Sequence, residues 1–215
     1  MITNILNKYN LTKKLFSLTD NNFFMYCNEN NDSVLDFVDT EKFQDDERLP
    51  YFINVWESGL VLGSYILNNK VHFKGKKVLE LGCGGGISGI CSSISGSITT
   101  FSDYETDALS LSEYNCQINN IYNSKYLLLD WRDYTVNETY DYIIGADLLY
   151  ENRMIIPLFK LICSILDANN DTKVLLSDPN RSYIDDFIKQ FEDHKYLVNR
   201  IKGNIKDVSI YEIYC

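Results

Sequence analysis

The chain has 215 residues, 45% hydrophobic and 23% charged, an ordinary balance for one soluble domain with a modest extension. Lys and Arg number 20 against 30 Asp and Glu, and the resulting charge of −10 argues against a nucleic-acid partner, because neutralising phosphates calls for a basic face. No apolar run reaches the ~18–20 residues that span a bilayer, and MITNILNKYNLTKKLF at the start lacks the basic head and unbroken apolar stretch of a signal peptide.

Residues 1–50 are rich in Asn, Asp and aromatics without a strong period, and read as an N-terminal extension. Within it Phe23–Tyr26 and Ser33–Val38 suggest short strands, and Glu41–Arg48 suggests a charged loop. Pro50 marks the entry to an ordered domain over 51–215. Leu60, Val61, Ser64, Tyr65 and Leu67 follow helical spacing up to Asn68-Asn69. Lys77–Leu81 reads as a buried strand, Ile87–Ile94 as a helix, Ser97–Ser102 as a strand and Thr106–Asn119 as a helix. Tyr126–Leu129 and Tyr140–Ala146 are the next strands. Met154–Leu166 is a helix with Pro157 in its first turn, where proline is tolerated. Lys173–Ser177 is a fifth strand, Tyr183–Phe191 a short helix, and Tyr196–Ile201 and Val208–Tyr214 a closing strand pair. This alternation predicts an α/β fold with a mostly parallel sheet. The six cysteines (Cys27, Cys83, Cys91, Cys116, Cys163, Cys215) form no CxxC pair and no cluster with His72 or His194, so no metal site is expected and reduced thiols fit a cytoplasmic protein, with the nucleus as the alternative.

The most informative stretch is Val78–Gly86, where a buried strand runs into a glycine-rich turn and then a helix. In open α/β sheets, ligands bind beyond the carboxyl ends of the strands, and glycines there allow positive φ and close approach. Gly84–Gly89 satisfies G-x-G-x-x-G, a weak sign of a dinucleotide. Glu80–Gly86 also satisfies E/D-x-G-x-G-x-G, the pattern for S-adenosylmethionine, at every fixed position. The acid separates the two: a carboxylate at the strand end repels a pyrophosphate, which prefers a bare helix N-terminus, and attracts the methionyl ammonium. A purely structural glycine turn is the third reading.

Acids follow at the next strand ends. Asp103 can accept both ribose hydroxyls, although an acid there also suits a helix start. Asp130 can accept from the adenine amino group, and Trp131 can pack beside the ring or sit in the core. Asp147 can orient an incoming amine or cap the next helix, and Tyr150 can supply an aromatic wall and a hydroxyl.

The run from Trp56 to about Tyr214 resembles the class I, seven-strand S-adenosylmethionine-dependent methyltransferases, and within them the family 16 methyltransferase-like group of protein-lysine methyltransferases. Four features carry the resemblance: Val55-Trp56-Glu57-Ser58-Gly59-Leu60-Val61-Leu62, Glu80–Gly86, Leu129-Asp130-Trp131, and Ala146-Asp147-Leu148-Leu149-Tyr150 with its D-x-x-Tyr pattern. It implies a Rossmann-like sheet of order 3-2-1-4-5-7-6 with the last strand antiparallel. It implies cofactor contacts from Trp56, Glu80, Gly82, Asp103 and Trp131, to which Cys83, Gly84, Asp130 and Ala146 are added from the same strand ends. It places Asp147 and Tyr150 at the acceptor. Ser177-Asp178-Pro179-Asn180-Arg181 resembles a segment of some relatives, including the electron-transfer-flavoprotein lysine methyltransferases, and has no role that chemistry assigns.

The expected function is therefore methyl transfer from S-adenosylmethionine, yielding S-adenosylhomocysteine, to a nitrogen acceptor, first of all a protein lysine. A protein arginine, a small molecule, or non-catalytic binding by a methyltransferase fold are the alternatives. A basic, Lys-bearing protein partner suits the charge; nucleic acid and membrane are not expected, and a monomer is. The first 50 residues are a candidate lid or substrate-recognition element.

Overall fold

A computed structural model describes residues 2–215 apart from positions 29, 47 and 136, with the backbone alone at 31–33, 42 and 45. The N-terminal part comprises α1 (Ile2–Lys8), a hairpin of β1 (Thr12–Leu18) and β2 (Asn21–Cys27), a 3-10 segment (Asn31–Phe37) and α2 (Thr40–Asp46). A short 3-10 turn (Tyr51–Ile53) leads to α3 (Glu57–Asn68) and α4 (Lys70–Phe73). The alternating part then runs β3 (Lys77–Leu81), α5 (Ile87–Ile94), β4 (Ile98–Asp103), α6 (Thr106–Gln117), β5 (Lys125–Leu128), β6 (Tyr142–Ala146), α7 (Ile155–Ala168), β7 (Lys173–Asp178), α8 (Ile184–Asp193), β8 (Leu197–Lys202) and β9 (Ser209–Tyr214).

Seven strands form one sheet in the order β5-β4-β3-β6-β7-β9-β8. Counted from β3, that is the expected 3-2-1-4-5-7-6. β3, β4, β5, β6 and β7 are parallel, and β9 runs antiparallel to both of its neighbours. The central strands β3, β6 and β7 are buried over most of their length, as continuous apolar runs require when helices cover both faces of a sheet. Helix α3 packs close to α5 because Gly59 and Gly63 face it: a Cβ there would lie 2.6 Å from Ile87 and 2.8 Å from the Cys91 sulfur.

Two expectations for the extension change. Ser33–Val38 is not a strand: all of it but Val38 lies in the 3-10 segment, with Val34 buried in a cluster with Tyr9, Phe52 and Leu111. Glu41–Arg48 was expected as a loop, and most of it is the helix α2. Phe23–Tyr26 does lie in a strand, β2. The extension is docked on α6 and the turn after it: Asn115 and Asn119 accept the amides of Tyr26 and Phe24 at 2.7 and 2.8 Å, and the Tyr9 hydroxyl donates to Asp107 at 2.9 Å. Phe23 and Met25 share a core cluster with Ile87, Ile90 and Phe101, so residues 1–50 and the sheet domain bury apolar surface together. Among the described residues no helix is long and apolar enough to cross a membrane, and no group of His, Cys, Asp and Glu is arranged to hold a metal ion.

Candidate active site

At the carboxyl end of β3 the backbone turns through Gly82 (φ 57°), Gly84 (φ 52°) and Gly86 (φ 89°) before α5 begins. This left-handed run needs glycine, and at Gly82 a Cβ would also lie 2.8 Å from Leu148. A cleft of about 400 Å³ opens over this turn, a volume that suits a small-molecule site. Of the residues expected to contact the cofactor, Trp56, Glu80, Gly82, Cys83, Gly84, Asp103, Trp131 and Ala146 line it, and so do Asp147 and Tyr150 from the expected acceptor end.

Glu80 is buried in the cleft floor, and its Oε2 has no hydrogen-bond partner within the protein. Burial pushes its carboxyl up to about 8, and the nearby amides of Gly89 and Ser88 offset this only in part. Asp103, at the end of β4, takes the Gly84 amide on Oδ2 at 2.9 Å and the Glu105 amide on Oδ1 at 3.0 Å. Burial raises it to about 6. The two amides fix the plane of the carboxylate and leave lone pairs for further donors. The Cys83 thiol is pushed well above its ordinary range by burial, then by Asp103 and Glu80, so it is a neutral packing group. Trp56 starts α3 and is anchored by its indole N–H on the Tyr51 carbonyl at 3.2 Å. Trp131 is both core and wall: it is buried in the main cluster and lines the cleft.

Asp130 is the expected cofactor residue that the structure keeps off the cleft wall. Arg132, two residues on, takes its carboxylate with Nε at 2.9 Å and Nη2 at 2.6 Å, and this ion pair lowers its pKa. The wall at the end of β5 is made by Leu129, Trp131 and Arg132 instead.

At the other end, Asp147 follows β6 in a left-handed conformation (φ 58°), rare for a residue with a side chain. Its amide donates to Ser177 at 2.8 Å, and its carboxylate meets Arg181. It does not act as the side-chain cap of α7. Tyr150 packs edge-to-face on Tyr51 with ring centroids 5.1 Å apart. Tyr150 keeps 37% of its surface exposed, yet desolvation, followed by Tyr104 and Asp103, raises its hydroxyl well above the usual range.

Sequence reasoning missed the rim. Arg132 and Arg153 both reach Asp46 at the end of α2, at 2.6 and 2.8 Å, and all three line the cleft. These partners are far apart in the chain, so no local pattern announces them. Arg181 stood in a segment already singled out, but without a partner its role was invisible.

The site fits S-adenosylmethionine piece by piece. A buried carboxyl with one oxygen, Glu80 Oε2, lacking a hydrogen-bond partner suits an ammonium and disfavours a pyrophosphate, an amide-braced Asp103 suits a ribose diol, and Leu129 and Trp131 offer an apolar wall to a purine.

Comparison with known proteins agrees. A model of the lysine methyltransferase family matches residues 40–194. The chain is 32% identical over 162 residues to the histidine protein methyltransferase 1 homolog of Dictyostelium discoideum, covering 72% of this chain and 52% of that protein. It is 32% identical over 146 residues to the electron transfer flavoprotein beta subunit lysine methyltransferase of Danio rerio, covering 67% and 53%. The chain thus spans about half the length of these two relatives. Among solved structures, the ribosomal protein L11 methylase of Lactobacillus delbrueckii subsp. bulgaricus shares the fold, with a TM-score of 0.61 at 17% identity over 74% of this chain and 79% of that one.

Proposed function

Since the chain belongs to the lysine methyltransferase family, we propose that it transfers a methyl group from S-adenosylmethionine to the side-chain amine of a lysine in a protein substrate. One observation carries the reading: the Glu80–Asp103 end and the Asp147–Tyr150 end open into a single cleft. A histidine acceptor is the second reading, favoured by the Dictyostelium relative.

S-adenosylmethionine, when bound, supplies a methyl group on a positively charged sulfur. The chain's own residues do the positioning. Glu80 offers a buried carboxyl, raised to about 8, whose ionised form an ammonium beside it would favour, Asp103 offers a diol its braced oxygens, and Tyr150 with Tyr51 walls the acceptor side. A lysine amine must be neutral to attack, and its ordinary pKa is about 10.4, so an aromatic, water-poor channel helps by disfavouring its charged form. Holding the amine in line is the main catalytic contribution asked of such a site.

The finer points of partner and place are proposals too. The net charge of −10 supports a basic protein substrate rather than a nucleic acid, and six cysteines with no disulfide among them suit the reducing cytoplasm. We take the working unit to be a monomer. The decisive test is transfer of tritiated methyl groups into a cell lysate, followed by amino-acid analysis of the labelled band. Methyl-lysine is expected; methyl-histidine selects the second reading, and no label at all refutes methyl transfer to protein.

A further inference from the structure

We propose that Arg181 is a positioning residue for methyl transfer: it clamps one oxygen of Asp147 and offsets its charge, so that Asp147 aligns the acceptor amine through its other oxygen without holding it as an ammonium. The inference rests on the methyl-transfer reading above and deepens it.

Asp147 alone presents a conflict. A carboxylate beside the acceptor aligns it, but an opposite charge within a few ångströms also stabilises the protonated amine, which cannot attack. Arg181 resolves this. Its Nε and Nη2 lie 2.8 and 2.7 Å from the same atom, Oδ1 of Asp147. Oδ2 has no protein partner among the described residues, and Asp147 lines the cleft. The pair is therefore close to neutral as a unit, and it still presents a hydrogen-bond acceptor.

The geometry is built rather than incidental. Asp147 is held left-handed at φ 58° with its amide on Ser177. Arg181 is held by its own amide, which donates to Asp178 at 2.6 Å; Asp178 is buried at the end of β7. Between them Asn180 is pinned from both sides, donating to the Asp207 carbonyl at 2.6 Å and accepting from Arg200 at 2.6 Å. The whole Ser177–Arg181 turn is thus an arm that delivers one guanidinium to one carboxylate. The other arginines of the cleft, Arg132 and Arg153, are committed to Asp46. The remaining titratable groups around the pair are Asp178 on β7, Tyr150, Glu151 and Arg153 on the segment after β6, and Tyr51 from the turn before α3.

The test measures methyl-lysine formed per minute by full-length protein, with tritiated S-adenosylmethionine and a cell lysate as acceptor, from about pH 7 to about 9.5, below the ordinary lysine pKa of about 10.4. Arg181→Ala is expected to run about tenfold slower than wild type at pH 7 and to approach it at the alkaline end, a shift of about one pH unit in the profile. Arg181→Lys, which keeps the charge and loses the fork, is expected to recover most of the pH profile. Binding of S-adenosylhomocysteine, followed by calorimetry, should be unchanged in both, and this also shows that the variants fold. An Arg181→Ala profile that coincides with wild type, or falls by one factor at every pH, overturns the proposal. If Arg181→Ala does not fold, an Arg181→Lys profile displaced as far as a tenfold loss does so in its place. No label with the wild-type protein overturns the methyl-transfer reading itself, and this inference with it.

Discussion

Along the strand-end wall of the cleft, Asp103 accepts two backbone amides at 2.9 and 3.0 Å in a buried setting. Along the N-terminal wall, Asp46 gathers Arg48, Arg132 and Arg153 near the surface, with the arginine side chains 28–37% exposed. The first wall is made at the ends of neighbouring parallel strands, and backbone geometry fixes it. The second is assembled from residues far apart, and solvent screens it. Amide bracing makes the strand-end wall the rigid one, and exposed, screened ion pairs make the N-terminal wall the soft one.

The largest effect is expected at the far end of the rigid wall. Asp147→Ala should lower methyl transfer about a hundredfold, the scale of a mispositioned reactant. If Asp147 serves the acceptor as proposed, affinity for S-adenosylhomocysteine should stay within about twofold. Equal losses in both, measured by initial rates and calorimetry, would move Asp147 to the cofactor.

Next comes Asp103. Truncation to alanine removes the acceptors proposed for the ribose and should weaken S-adenosylhomocysteine binding by about 2 kcal/mol, roughly thirtyfold. Wild-type affinity by calorimetry would remove its ribose role.

That wall was legible in the sequence because its signals are local. Glu80, the glycines and Asp103 all sit where a strand ends, and the parallel sheet brings strand ends together without further information. The soft wall was not legible for the converse reason. Glu41–Arg48 shows charges without apolar period and looks like a loop. It forms α2 with its last residue, Asp46, bound by arginines 86 and 107 positions away. Asp130 lies off the cleft wall for a related reason: an acid at a strand end looks available, but an arginine two residues on takes it. Ser33–Val38 has strand composition but pairs with neither sheet, and its Val34 packs instead into the cluster around Tyr9.

The rigid wall also carries a pH signature. Glu80 is raised from 4.5 to about 8 by burial, so the folded chain keeps a proton that the unfolded chain has released. Its contribution to stability is full below about pH 4.5 and is lost as pH rises through about 8. Asp103, raised to about 6, adds to the same slope at the acid end. The melting temperature of the ligand-free protein should therefore fall by a few degrees between about pH 5 and 8. Glu80→Gln, which cannot titrate, should flatten the descent. A variant as steep as wild type would mean that Glu80 is ionised in the fold.

The smallest effect is expected on the soft wall. Asp46 is held by Arg132 at 2.6 and 2.7 Å and by Arg153, whose second nitrogen also donates to the Asp46 carbonyl. These pairs keep the Asp46 carboxyl far below its usual range, Arg132 first. The pairs are partly exposed, so Asp46→Ala should cost about 1 kcal/mol or less in stability. Because Asp46 and Leu49 line the cleft, the residues around α2 close its N-terminal side, and loosening them should speed release of S-adenosylhomocysteine about threefold with little change in its association. Salt separates this from a general loss of fold. Raising ionic strength shortens the Debye length to a few ångströms and weakens exposed pairs, so the wild-type release rate should climb toward that of Asp46→Ala while the variant's stays nearly constant. Two release rates that rise in parallel with salt would place the closure elsewhere than in the Asp46 arginines.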